Sequence, residues 1–210
     1  MRKFILPGLL LFCFTTYAQR TKKAVVIADS ILRSQIGDRL FQYFSVSGGS
    51  YYSYAGRKGK QRTWRFLQKK RLPKSFVTLN FLYHFDYPKI EGVRGGLWLI
   101  VDKDFQLIDS LNFEFIPKFI VENKPSEFIS VDSASAIVQS NSKPNSYKVS
   151  IPILSYDEKS KQYIYTASHT LTVVLNATGK DMGDFEVIEI NATTGNIINI
   201  SKVNKGTVIR

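Results

Sequence analysis

A helical pattern followed by a run of strand-like segments occurs twice along this 210-residue chain. That order of elements restricts the fold more than any other feature. In the first stretch, Val25, Ala28, Ile31, Leu32 and Ile36 recur at three- and four-residue spacing, which predicts a helix over Lys22–Ile36. Thr21 is the expected N-cap and Gly37 the expected stop. Strand-like runs follow at Phe41–Val46, Tyr51–Ala55, Thr63–Leu67, Phe76–Tyr87 and Leu97–Val101, the last continuing to Asp109. The second stretch opens with a shorter helical pattern, Ser133–Ser140, with Asp132 as the expected N-cap and Ile129 or Val131 packing back onto Ile137. Tyr147–Tyr156, a polar turn at 157–160, Tyr163–Asn176, Phe185–Ile190 and Ile197–Ile200 complete it.

Each stretch reads as an α+β unit, with one helix laid across a small antiparallel sheet so that each buries one face. The expected architecture is two such units in tandem, over residues 19–112 and 130–210. Between them, residues 113–129 contain Pro117 and Pro125, which argue against a continuous helix and fit a linker. The ends of the two stretches echo each other: Leu97–Asp102 with Leu107–Asp109 parallels Glu186–Asn191 with Ile197–Asn199. Order of elements without strong identity leaves a true duplication open.

The closing run, Val187-Ile188-Glu189-Ile190-Asn191-Ala192-Thr193-Thr194-Gly195-Asn196-Ile197-Ile198, resembles the final hairpin of PepSY domains. Gly195 has a physical role there, since a short hairpin loop commonly needs a residue with positive φ. The segment around Ala134–Val138 is similar to that family's opening helix, and the resemblance covers residues 130–202. The first stretch departs from the pattern, because 102–106 contains no glycine. The resemblance implies a PepSY/cystatin-like helix-on-sheet fold. It also implies an exported, non-catalytic module that binds a protein partner, a peptidase to be restrained being one such partner.

Export is also the reading of the N-terminus. Arg2 and Lys3 precede an apolar run, Phe4–Phe14, and Thr16-Tyr17-Ala18 supplies small residues at −3 and −1 of a cleavage point. Residues 1–18 are therefore expected to be a signal peptide cleaved between Ala18 and Gln19, placing the mature protein in the periplasm or outside the cell. A spanning helix needs about 20 apolar residues; this run is shorter and contains Pro7 and Gly8, and nothing after Gln19 is apolar enough to span. Cys13 is the only cysteine, so the mature chain can have neither disulfide nor thiolate metal site.

Losing Arg2 and Lys3 leaves 27 basic against 17 acidic residues. Nine of the cations fall between Arg57 and Lys74 with no acid among them: Arg57, Lys58, Lys60, Arg62, Arg65, Lys69, Lys70, Arg71 and Lys74. Trp64 and Phe66 lie within the same stretch and could stack or insert. Such a field attracts polyanions. An anionic envelope component or an acidic protein partner fits it, as does a solvated edge strand whose cations prevent pairing with other chains. Export argues against nucleic acid, and none of the usual recognition motifs occurs.

Chemistry is sparse. His84 and Asp86 share a strand face and could begin an acid–base pair in a small exported enzyme, but no third group is evident. His169 has no partner in sequence, and Asp102, Asp104 and Asp109 suit a polar turn better than a Ca²⁺ site. No nucleophile elbow, zinc motif or phosphate-binding loop is present. The expectation is a binding module with no cofactor and no metal, its contact made by the basic hairpin. A structural accessory subunit of an envelope complex is the third reading, and the oligomeric state is not legible.

Overall fold

The computed structural model describes residues 21–56, 60–67, 72, 75–143, 146, 148–175 and 181–205. The expected signal peptide and its Ala18–Gln19 cleavage point lie outside these residues. The chain is α+β. Helix α1 (Thr21–Phe41) is followed by β1 (Phe44–Val46), β2 (Tyr51–Ala55), β3 (Gln61–Arg65), β4 (Phe76–Asp86) and β5 (Arg94–Asp102), which form one antiparallel sheet. A short helical turn, α2 (Lys118–Val121), leads to α3 (Val131–Asn141). The second antiparallel sheet contains β6 (Lys148–Val149), β7 (Ile153–Asp157), β8 (Gln162–Thr170), β9 (Val174–Leu175), β10 (Asp181–Asn191) and β11 (Ile197–Lys205).

The inner face of α1 carries Ala24, Ala28 and Leu32, all fully buried at four-residue spacing. Thr21 is already helical, and the predicted stop is a break: Gly37 has φ +75°, after which one further turn reaches Phe41. The buried face of β4 is Leu79, Phe81, Tyr83 and Phe85, and the facing residues of β5 are Val101, Leu99, Leu97 and Gly95. Burying each large apolar side chain of this set contributes roughly 1.5–3 kcal/mol. Tyr83 fastens helix to sheet by donating its hydroxyl to Asp29 Oδ1 at 2.6 Å. Burial, and then that carboxylate, push the Tyr83 phenol upward, so it stays protonated.

The two sheets share a pattern of connection. In each, the first strand after the helix is broken, and both pieces pair with one side of a long strand. β1 and β2 lie on β4, and β6 and β7 lie on β8. A second long strand, β5 or β10, pairs on the other side, and the chain then turns back. In the second sheet the returning strand is β11, paired with β10 from Ile190 to Gly183. In the first it is one bridge, Val101–Leu107, so the strand expected to run to Asp109 ends at Asp102. β3 is an added strand outside β2.

Other boundaries moved for local reasons. Phe41 belongs to the helix, so β1 starts at Phe44. The cap of α3 is Ser130, whose hydroxyl accepts from the Ser133 N–H, whereas Asp132 lies in the first turn. The run 147–156 is interrupted before Ile153, where Pro152 has no N–H to pair. Gly195 has φ +74° in the closing turn, as its place there demands, and Asn191 Oδ1 accepts from the N–H groups of Thr193 and Thr194.

The segment 113–129 connects the sheets and is also part of the core. Pro117 starts the α2 turn, and Phe115, Ile116, Phe119 and Ile120 are buried. Arg39 donates to the Ile120 and Val121 carbonyls at the C-terminal end of α2, the Ile120 oxygen also accepting from the Asn123 N–H. Tyr163, from β8, donates to the Phe115 carbonyl at 2.7 Å. Two glycines permit close approach here. A Cβ on Gly95 would lie 2.4 Å from the Phe115 ring, and one on Gly92 would lie 2.2 Å from the Leu154 carbonyl oxygen. Among the described residues no helix is long and apolar enough to cross a membrane.

Candidate functional site

The basic stretch is described only in part. Arg57, Lys58, Lys69, Lys70, Arg71 and Lys74 lie outside the described residues. Lys60, Arg62, Trp64 and Arg65 belong to or flank β3, whose five residues are all exposed. This strand pairs with β2 alone, so its other edge is open among the described residues. Lys60, Arg62 and Arg65 have no ion-pair partner among those residues. Trp64 is 57% exposed, whereas Phe66 is fully buried with its ring edge-on to Phe81 at 5.2 Å. Phe66 therefore anchors the hairpin and cannot stack on a ligand, in contrast to the expectation from sequence.

His84 is exposed on β4, opposite Gly96 and Ser45, and has no hydrogen-bond partner among the described residues. Asp86 is exposed as well. The acidic residues at 102–109 make a turn: Asp102 Oδ1 accepts from the Asp104 and Gln106 N–H groups, and Lys103 pairs with Asp104. No group of three or more metal-ligating side chains is present among the described residues.

The other histidine corrects the sequence reading. His169 is fully buried, and its Nε2 lies 2.7 Å from Glu186 Oε2. Its Nδ1 lies 3.3 Å from Ser146 Oγ, and Lys143 Nζ contacts Glu186 Oε1. The Lys143 hydrogen bond, and then that of His169, hold the Glu186 carboxyl below its usual range. The Ser146 hydroxyl donates to the Lys143 carbonyl at 2.8 Å. A serine held this way does not point a free nucleophile at a substrate. The cluster ties the segment that follows α3 to β8 and β10, and its buried polar groups are satisfied by one another. The 17-residue separation hides this pair until register places Glu186 opposite His169.

Where the two sheets meet, β5, residues 109–115 and the β7–β8 turn enclose a groove of about 650 Å³. That is within the size range of ligand clefts. Trp98 is 44% exposed on one wall and stacks edge-on to Tyr51 at 5.5 Å. On the other wall Lys161 and Glu114 form an ion pair at 2.9 Å. Lys161 keeps the Glu114 carboxyl below its ordinary range, and Glu114 raises the Lys161 ammonium. Burial, followed by the Glu114 charge, raises the neighbouring Tyr156 phenol. These residues form a polar cleft with an aromatic wall but no nucleophile–base pair.

The chain matches no protein-family model, no curated protein and no solved structure.

Proposed function

We propose that the protein is an exported, non-catalytic binding module of a bacterial cell envelope, built of two related PepSY-like helix-on-sheet units. It holds an anionic envelope surface through the basic hairpin centred on β3. The observation that carries this reading is β3 itself: an exposed open-edged strand whose described cations have no counter-charge within the described residues, beside a half-exposed Trp64. The order of helix, broken strand, two long strands and return in both sheets supports the tandem reading. The leader-like residues 1–18 support export.

Each lysine or arginine held near an anionic membrane surface contributes about 1 kcal/mol, roughly fivefold in binding. Co-sedimentation of the mature chain with anionic phospholipid vesicles tests the proposal, with neutral phosphatidylcholine vesicles as control. Binding to the anionic vesicles alone is expected, weakening as salt shortens the screening length from about 10 Å at 0.1 M to about 3 Å at 1 M. The triple variant Lys60→Gln, Arg62→Gln, Arg65→Gln should bind about a hundredfold more weakly. Equal co-sedimentation of variant and wild type would reject the assignment of β3.

A further inference from the structure

We propose that the outer edge of β5 is an acceptor site for an extended segment of a partner protein, which joins the first sheet as an additional strand. The site is separate from β3 and does not depend on its role. The comparison between the two sheets carries the proposal. Beside β10, the returning strand β11 fills the edge from Ile190 to Gly183. Beside β5, the return reaches only the Val101–Leu107 bridge and the hydrogen bond from the Ile108 N–H to the Ile100 carbonyl. Beyond Ile108 the chain makes no further backbone bond to β5 among the described residues and instead lines the groove.

Strand geometry fixes what that edge presents. The Ile100 carbonyl and the Asp102 N–H both meet the returning segment, so even-numbered β5 residues direct their backbone groups away from β4. Gly96 and Trp98 follow the same alternation. Their N–H and C=O groups have no hydrogen-bond partner among the described residues, and Gly96 is exposed. An open sheet edge in a groove is the arrangement by which extended peptides are captured, with main-chain bonds for affinity and alternate side chains for specificity.

The groove also states which segment fits. A guest continuing the return strand runs antiparallel to β5 and spans about five residues opposite Arg94–Trp98. Its residue opposite Trp98 meets a half-exposed indole, which favours an apolar side chain there. The guest's C-terminal end arrives at Arg94, which is exposed and has no ion-pair partner among the described residues. An acidic residue at that end completes the match. The occupant is thus a partner segment of alternating apolar and polar residues with a carboxylate near its C-terminal end.

Selection of random seven-residue peptides displayed on phage against the immobilised mature chain tests this. Enriched peptides should share the alternation and the C-terminal acid. Gly96→Pro removes one outward N–H without touching a β4 hydrogen bond, a substitution tolerated at open edges; it should lower capture at least tenfold. Arg94→Glu, at an exposed position, should replace the selected acid by lysine or arginine, and it decides the question even if the proline variant fails to fold. Absence of enrichment, or an acid preference unchanged by Arg94→Glu, overturns the proposal. So does self-association of the wild type that Gly96→Pro abolishes, since the occupant would then be a second copy of this chain.

Discussion

Gly92→Ala places a single methyl group at the point where the first sheet touches the second. Gly92 has φ +89°, a conformation that costs an L-residue about 1–2 kcal/mol. The added Cβ would sit 2.2 Å from the Leu154 carbonyl oxygen, far inside any real contact, so β7 backbone must move. Forcing extra volume into a packed site typically costs about 1–3 kcal/mol. Together these give roughly 2–5 kcal/mol, a large share of the 5–15 kcal/mol that holds an ordinary domain. Urea unfolding followed by the fluorescence of the two tryptophans would read this directly. With a slope of about 2 kcal/mol per molar, the midpoint should fall by roughly 1–2.5 M. Gly48→Ala is the control, because its Cβ would meet nothing within 4 Å; it should shift the midpoint little. A Gly92→Ala midpoint equal to wild type would refute the close packing of β7 against the start of β5.

Three further outcomes are expected. Tyr163→Phe strips the buried Phe115 carbonyl of its donor and should cost about 1–3 kcal/mol, read as a lower melting temperature. Ser130→Ala removes the cap of α3 and should cost about 1 kcal/mol in the same measurement, more than Asp132→Ala. Glu186 has a folded pKa below its ordinary value of 4.5, so its contribution to stability is present above that pH and is lost as pH falls through the folded value. Stability measured against pH should therefore drop below about 4.5 in the wild type, and less steeply in Glu186→Gln. Superposable acid branches would contradict the Lys143–Glu186–His169 contacts.

The strands were the legible part of this sequence, because their alternation is local. Tyr51–Ala55 is β2 residue for residue, and the apolar alternation through Phe76–Tyr87 marks the inner face of β4. Helix ends were less legible. Ser130 and Asp132 are both good caps, and only the extended backbone of Ser130 decides between them. The prolines at 117 and 125 mark where a helix cannot continue, but they carry no signal for the burial of Phe115 and Phe119, which depends on contacts with the sheets. Within the candidate sites, the exposed cations of β3 follow from composition. The His169–Glu186 pair and the β5 groove do not, since each depends on register between strands distant in sequence.

The last strand of the second sheet leaves Ile198, Ile200 and Val203 each about half-exposed on an edge that pairs with nothing else described. Lys202 is exposed along the same stretch, and its repulsion between molecules discourages lateral stacking into fibrils. Concentrated salt silences that repulsion while leaving the greasy rim intact. Purified material should accordingly keep best in dilute buffer, and salting-out is the handling step most apt to seed filaments.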